Sequence, residues 1–253
     1  MTSNRNPPAF RFRPGRRQDI LIVCDHASNA VPDELGTLGL DGNALLQHVA
    51  WDPGAAGVAE AMAEQLDCPA LFGVWSRLVV DLNREAAARD LIVTGNDGID
   101  VPGNRLIAKD ERDRRIERYH RPYHAELSRH LDAVMSNGIR PALISIHSFV
   151  PSFFGNQRPW PIGLLWKHRH DWLDRLFDEL RRQGLDVGDN EPYDGREMMG
   201  GTLEQHAIPR GLRHVLVELR QDLLATDQMQ VEWSRRLLDA LQAAGFFASQ
   251  SVD

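Results

Sequence analysis

Lysine is nearly missing from this chain. Of 29 basic residues, only Lys109 and Lys167 are not arginine. No Lys-rich stretch is present, and 36 acidic residues bring the net charge to -7, which makes nucleic acid an unexpected partner. Cysteine is equally scarce. Cys24 and Cys68 stand alone, outside any Cys-x-x-Cys pair, which excludes a disulfide framework or a thiolate zinc site and points to a reducing compartment. No apolar run is long enough to span a membrane, and the polar first residues lack the apolar core of a signal peptide. The expectation is a cytoplasmic protein. A phosphate-binding Gly-rich turn and a Gly-x-Ser-x-Gly elbow are also lacking, which removes the usual nucleotide and serine-hydrolase readings.

What is present is an alternation of apolar strands and amphipathic helices. The 253 residues allow a full core, and neither a repeat nor a low-complexity linker divides them. The reading is a loose Pro- and Arg-rich arm over residues 1–18, then one α/β domain over 19–253. Short apolar, largely β-branched runs predict strands at 19–24, 78–82, 142–146, 161–166 and 215–219. Helical spacing predicts helices near 53–66, 168–183 and 227–244, and a pair over 105–137 divided near Pro122. Continuous apolar strands between helices predict a mainly parallel or mixed sheet with helices on both faces.

In such sheets, ligands bind beyond the carboxyl ends of the strands. Those ends carry Asp25 and His26, Asn83 and Arg84, and His147 and Ser148, while Glu218 lies inside the last strand. Two imidazoles and a carboxylate suit a metal hydrolase: neutral histidines hold Zn²⁺, and an acid takes the proton of the activated water. An arginine fixes an anionic substrate group. Each residue has an ordinary alternative. The histidines serve equally as loop or core residues, Glu218 as the partner of Arg220 or Arg213, Asn83 and Arg84 as a cap and a surface charge, and Arg77 as the partner of Asp81. A charge buried in an apolar strand without a partner is costly, which makes Glu218 the hardest to explain structurally.

These residues resemble a known pattern. Ile144-Ser145-Ile146-His147-Ser148 resembles the segment with the second histidine ligand of zinc carboxypeptidases. Val80-Asp81-Leu82-Asn83-Arg84 resembles their substrate-carboxylate motif, and Val217-Glu218-Leu219-Arg220 their catalytic glutamate strand. More of the chain resembles the N-formylglutamate amidohydrolase family. The matching stretches are 24–32, 48–55, 76–84, Tyr119 to His124, Asp189 to Tyr193 and 218–223, in order, across most of residues 19–225.

The resemblance implies a zinc-peptidase (phosphorylase/hydrolase)-like α/β fold. It also implies metal-dependent hydrolysis of the amide of an N-acyl amino acid such as N-formyl-L-glutamate. Zn²⁺, or another divalent ion, would sit on His26 and His147. Glu218 would be the catalytic acid-base and Arg77 would polarise the carbonyl. Asn83 and Arg84 would bind the carboxylate of a small-molecule substrate.

One position departs from the carboxypeptidases: where they place a ligating Glu three residues after the first His, this chain has Asn29. Asp52 is the leading replacement and Asp25 the second, although Asp52 also suits an N-cap for the helix beginning at Pro53. His124 is a pocket candidate, separated from His120 by Pro122. Asp186 to Gly211 reads as a mobile substrate loop in which Tyr193 and His206 are the binding candidates and Met198, Met199 and Thr202 are further members. A carboxypeptidase, a cell-wall-peptide amidase and a metal-free carboxylate-binding module remain the alternatives, and the oligomeric state stays open.

Overall fold

The structure is a computed structural model and describes residues 8–96, 98–197 and 200–247. Seven strands form one sheet: β1 (Phe10–Arg13), β2 (Ile20–Cys24), β3 (Ala70–Gly73), β4 (Ala142–Phe149), β5 (Ile162–Leu165), β6 (Val187–Asp189) and β7 (His214–Arg220). Their order is β1-β3-β2-β4-β7-β5-β6. The central four, β3, β2, β4 and β7, are mutually parallel; β1 runs antiparallel to β3, and β5 antiparallel to β7. The sheet is therefore mixed, with a parallel centre.

Its two faces are both apolar because strand side chains alternate. Ile20, Ile22 and Cys24 of β2 join one core cluster; Leu21 and Val23 join the other. After a short α1 (Gly42–Leu45), the first cluster packs on α2 (Ala55–Leu66), α5 (Asp171–Arg182) and α7 (Asp227–Ala243) through residues such as Met62, Phe177 and Leu237. The second packs on α4 (Arg121–Ser136) and α6 (Thr202–His206), through Tyr123, Leu127, Leu131 and Leu203. Burying a side chain of this size contributes about 1.5–3 kcal/mol. Three layers result, with helices on both faces.

Some expectations change. The run 78–82 is not a strand. It is buried between the second cluster and a third, smaller one, and its backbone bonds are those of turns, Val79 N to Ser76 O and Asp81 N to Leu91 O. Its apolarity serves burial, not pairing. Part of the expected arm is the edge strand β1, where Phe10 and Phe12 alternate with arginines against β3. Residues 1–7 lie outside the described residues. The short strands β3 and β6 were not predicted.

The long segment near Pro122 is helical on both sides: α3 (Lys109–Arg115) and α4 are joined by a π-helical turn at Ile116–His120. Proline lacks an N–H and crowds the carbonyl one turn back, so a local widening accommodates it without a break. The loop 186–211 contains β6 and α6, while Met198 and Met199 lie outside the described residues.

Candidate metal centre and active site

β4 and β7 are neighbours, and their register sets His147 directly opposite Glu218. Both residues lie two positions or four beyond members of the second core cluster, Leu143 and Leu216, so their side chains emerge on the α4 face of the sheet. His26 follows β2, the strand on the other side of β4. Three strand ends thus deliver two imidazoles and one carboxyl to one place.

Asp52 joins them from the loop before α2. The helix is entered through Gly54, with φ 81°, and receives no side-chain cap bond. The Asp52 carboxylate is therefore free to turn inward. Its Oδ2 lies 2.8 Å from His147 Nδ1 and 3.4 Å from His26 Nδ1, and accepts the Ser148 N–H at 3.3 Å. Donor atoms of His26, Asp52 and His147 all fall within 4.8 Å of one another, and all three residues are buried.

The far nitrogens are held as well. His26 Nε2 lies 2.7 Å from Asp81 Oδ1. His147 Nε2 lies 3.1 Å from Ser145 Oγ and 3.4 Å from Asp25 Oδ2. Asp25 is itself tied down, accepting from the Tyr123 hydroxyl at 2.7 Å and from Thr202 at 2.8 Å. A carboxylate only accepts, so His26 Nε2 carries a ring proton, and in the neutral imidazole Nδ1 is then a bare lone pair. The Arg77 guanidinium, which donates to that nitrogen at 2.6 Å and also to Asp52, agrees with this tautomer.

A neutral imidazole has one N–H, yet His147 has carboxylates near both nitrogens. The Ser145 hydroxyl can serve one nitrogen, and carboxylates on both sides of the ring favour an extra proton or a cation there. Burial alone would lower the His147 imidazole, but the Asp25 and Asp52 carboxylates push it up to about 10. Burial would raise Asp52, but Arg77 and the two histidines hold it well below the usual carboxylate range. Two imidazoles and one carboxylate, each imidazole backed by an acceptor on its second nitrogen, make a donor set suited to a divalent metal ion. The residues fit a divalent cation.

Glu218 stands apart from this network. Its Oε2 is buried without a hydrogen-bond partner among the described residues. The structural alternatives for it do not form: Arg220 pairs with Asp222, and Arg213 donates to the carbonyls of Gly245 and Phe246. Burial, helped by the Asp52 charge, pushes its carboxyl up to about 7 against the pull of His147. A carboxyl poised there is suited to accept and return a proton near neutral pH.

A family model for N-formylglutamate amidohydrolase matches residues 18–225. The chain belongs to the N-formylglutamate amidohydrolase family. Among solved structures, gene product Atu2144 of Agrobacterium tumefaciens is similar at 31% identity and a TM-score of 0.89, over 94% of this chain and 95% of that one. N-formylglutamate amidohydrolase from Ralstonia eutropha JMP134 is similar at 20% identity and a TM-score of 0.64, over 92% and 97% of the two chains, a likeness of fold. No curated protein matches significantly in sequence.

Within this member of the amidohydrolase family, the remaining candidates divide. Asn29 turns away, its amide donating to the Leu45 carbonyl at 3.0 Å. Asn83 accepts the Thr202 N–H at 2.8 Å, and its own N–H is fixed by Asp81 at 2.8 Å. Arg84 follows it and pairs with the exposed Asp90 at 2.8 Å. Tyr193 accepts a hydrogen bond from Arg158 at 3.2 Å, and burial, with the Glu218 charge, raises its phenol.

His124 and His206 form a chain of their own. Ser128 lies 3.2 Å from His206 Nδ1, His206 Nε2 lies 2.8 Å from His124 Nδ1, and His124 Nε2 reaches the Leu82 carbonyl at 3.0 Å. Both imidazoles support the backbone beside Asn83. Sequence reasoning singled out neither Asp81 nor Tyr123 as a support; an acid two residues before the Asn-Arg pair was the available signal for Asp81.

Proposed function

We propose that this chain hydrolyses the amide bond of an N-acyl amino acid, with N-formyl-L-glutamate as the first substrate, at a divalent metal, zinc by preference, on His26, Asp52 and His147. One observation carries the reading. Two imidazole nitrogens converge on a single buried carboxylate oxygen, and the buried Glu218, whose Oε2 has no partner among the described residues, stands across the ladder from one of them. The family supports the bond type, and the similarity to the Ralstonia N-formylglutamate amidohydrolase supports the substrate.

A metal held there supplies Lewis-acid polarisation and a lowered pKa for water. The chain's own groups do the rest. Glu218 takes the proton of the attacking water and returns it to the amine nitrogen as the carbon–nitrogen bond breaks. Arg77, which meets His26 and Asp52 at the edge of the site, would turn from them to offer its guanidinium to the developing oxyanion. Arg84 exchanges its exposed partner Asp90 for the α-carboxylate of the substrate, beside Asn83. Surface pairs of that kind are worth little, so the exchange is cheap. Asp25, Asp81, His124 and His206 hold these groups in place. The two buried free thiols, Cys24 and Cys68, fit a reducing cytoplasmic setting.

The test is elemental analysis of the purified protein beside formate release from N-formyl-L-glutamate, with and without chelator. About one zinc per chain and chelator-sensitive release are expected. A protein that takes up no divalent metal, or whose turnover ignores the chelator, ends the reading.

A further inference from the structure

Arg158 is a buried cation without a counter-ion. The residue is 8% exposed, and its guanidinium pairs with no carboxylate among the described residues. Three aromatic rings surround it, with the guanidinium carbon 5.8 Å from the centroid of Phe149, 4.7 Å from Phe153 and 4.8 Å from Tyr193. Among the described residues, the guanidinium's one hydrogen bond runs to the Tyr193 hydroxyl at 3.2 Å. Most other arginines near the site are paired, Arg77 with Asp52, Arg84 with Asp90 and Arg220 with Asp222. Withdrawing a charge from water is costly, and ring contacts without a counter-charge offset it less well than an ion pair does. The balance calls for an anion.

Position says which anion. Phe149 ends β4 two residues beyond His147, on the same face, which is about 6.6 Å along the strand. Tyr193, whose hydroxyl takes the Arg158 hydrogen bond, packs against the second core cluster, on the face where His147 emerges. The backbone of Arg158 is pinned. Its N–H donates to Pro151 O at 2.9 Å, closing the small ribbon of Ser152–Phe153 and Asn156–Gln157, and Arg220 donates to Pro159 O at 2.9 Å. A preorganised guanidinium in an aromatic cage, a short step from the reacting centre, suits a group several bonds removed from the scissile carbonyl.

We propose that Arg158 binds the side-chain carboxylate of the substrate and so sets a preference for acidic N-acyl amino acids. The proposal rests on the hydrolase reading for its reaction, though not for its binding. It adds a second anion contact, distinct from that of Asn83 and Arg84.

The test compares N-formyl-L-glutamate with its neutral isostere N-formyl-L-glutamine in the wild type, Arg158→Met and Arg158→Lys. Thermal stabilisation of each protein by glutarate is read in parallel. In Arg158→Met, kcat/KM for the acidic substrate should fall about 100-fold while that for the neutral one holds, abolishing the preference. Arg158→Lys, which keeps the charge and loses the fork, should raise KM with little change in kcat. Glutarate should stabilise the wild type and not Arg158→Met. If neither substrate is cleaved by the wild type but glutarate stabilisation depends on Arg158, the carboxylate site stands and the hydrolase reading falls. Equal losses on both substrates, an unchanged preference in Arg158→Lys, or stabilisation by glutarate that survives Arg158→Met overturns the proposal.

Discussion

Asp81 Oδ1 lies 2.7 Å from His26 Nε2 and accepts the backbone N–H of Asn83 at 2.8 Å. One carboxylate thus sets the tautomer of a metal-site imidazole and the position of the residue proposed to meet the substrate. Asp81→Asn keeps the shape and weakens the acceptor. It should lower metal affinity about 10–100-fold. A competition titration against a chromophoric chelator measures this, and an unchanged affinity would remove Asp81 from the support of the site.

Glu218→Gln keeps the volume and removes the base. Turnover should drop about 10²–10⁴-fold, the usual worth of general acid–base catalysis, with metal stoichiometry intact. Formate release and elemental analysis on the same sample separate the two effects. A Gln variant that turns over like the parent would show that another group moves the proton.

The same substitution should stabilise the metal-free protein, and only at higher pH. Burial raises the Glu218 carboxyl from 4.5 to about 7. Between those values the folded chain retains a proton that the unfolded chain releases, so stability falls as pH rises through this window and stays reduced above it. Gln does not titrate. In chelator, Glu218→Gln should gain on the order of 2–3 kcal/mol at pH 8 and nothing at pH 4. Urea unfolding at both pH values tests it; a gain independent of pH would mean that packing, not charge, is responsible.

Much of this arrangement was legible in the sequence, for identifiable reasons. His26, His147 and Glu218 stand at or in long apolar strands, and such runs announce themselves. The run 78–82 shows the limit, since an apolar segment buried between two clusters looks like a paired one. The edge strand Phe10–Arg13 has the strict alternation of a half-buried strand, masked by neighbouring prolines. Whether Asp52 caps a helix or faces the histidines depends on the left-handed turn at Gly54, a dihedral no residue pattern prints. Arg158 was invisible because its cage is assembled from Phe149, Phe153 and Tyr193, which the fold alone brings together.

The chain from Ser128 through His206 and His124 to the Leu82 carbonyl needs both imidazoles neutral, because each proton in it is already committed. Burial lowers His124 to about 3 and His206 to about 4. The unfolded chain takes up these protons once pH falls below about 6.5, and the folded chain resists until about 4. Stability is therefore full above pH 6.5 and lost as pH falls through that window. His206→Gln should flatten the loss between pH 6 and 4.5 by roughly 1 kcal/mol per pH unit, read from unfolding midpoints. A slope equal to that of the parent would place the acid sensitivity elsewhere.

Gly54 connects the core to the site. It sits at φ 81°, and a Cβ there would meet Leu224 Cβ at 2.3 Å and its carbonyl oxygen at 2.9 Å. Gly54→Ala must pay for both the left-handed backbone and the collision, together about 3 kcal/mol. In a chain of this size that corresponds to a Tm about 5–10 °C lower. Because Gly54 also lets the Asp52 carboxylate turn from the helix end toward His26 and His147, the variant should lose metal affinity beyond what its lower stability explains. Measuring metal affinity well below the variant's own Tm isolates that part. A destabilised variant that binds metal like the parent would mean that Asp52 finds its direction without the turn.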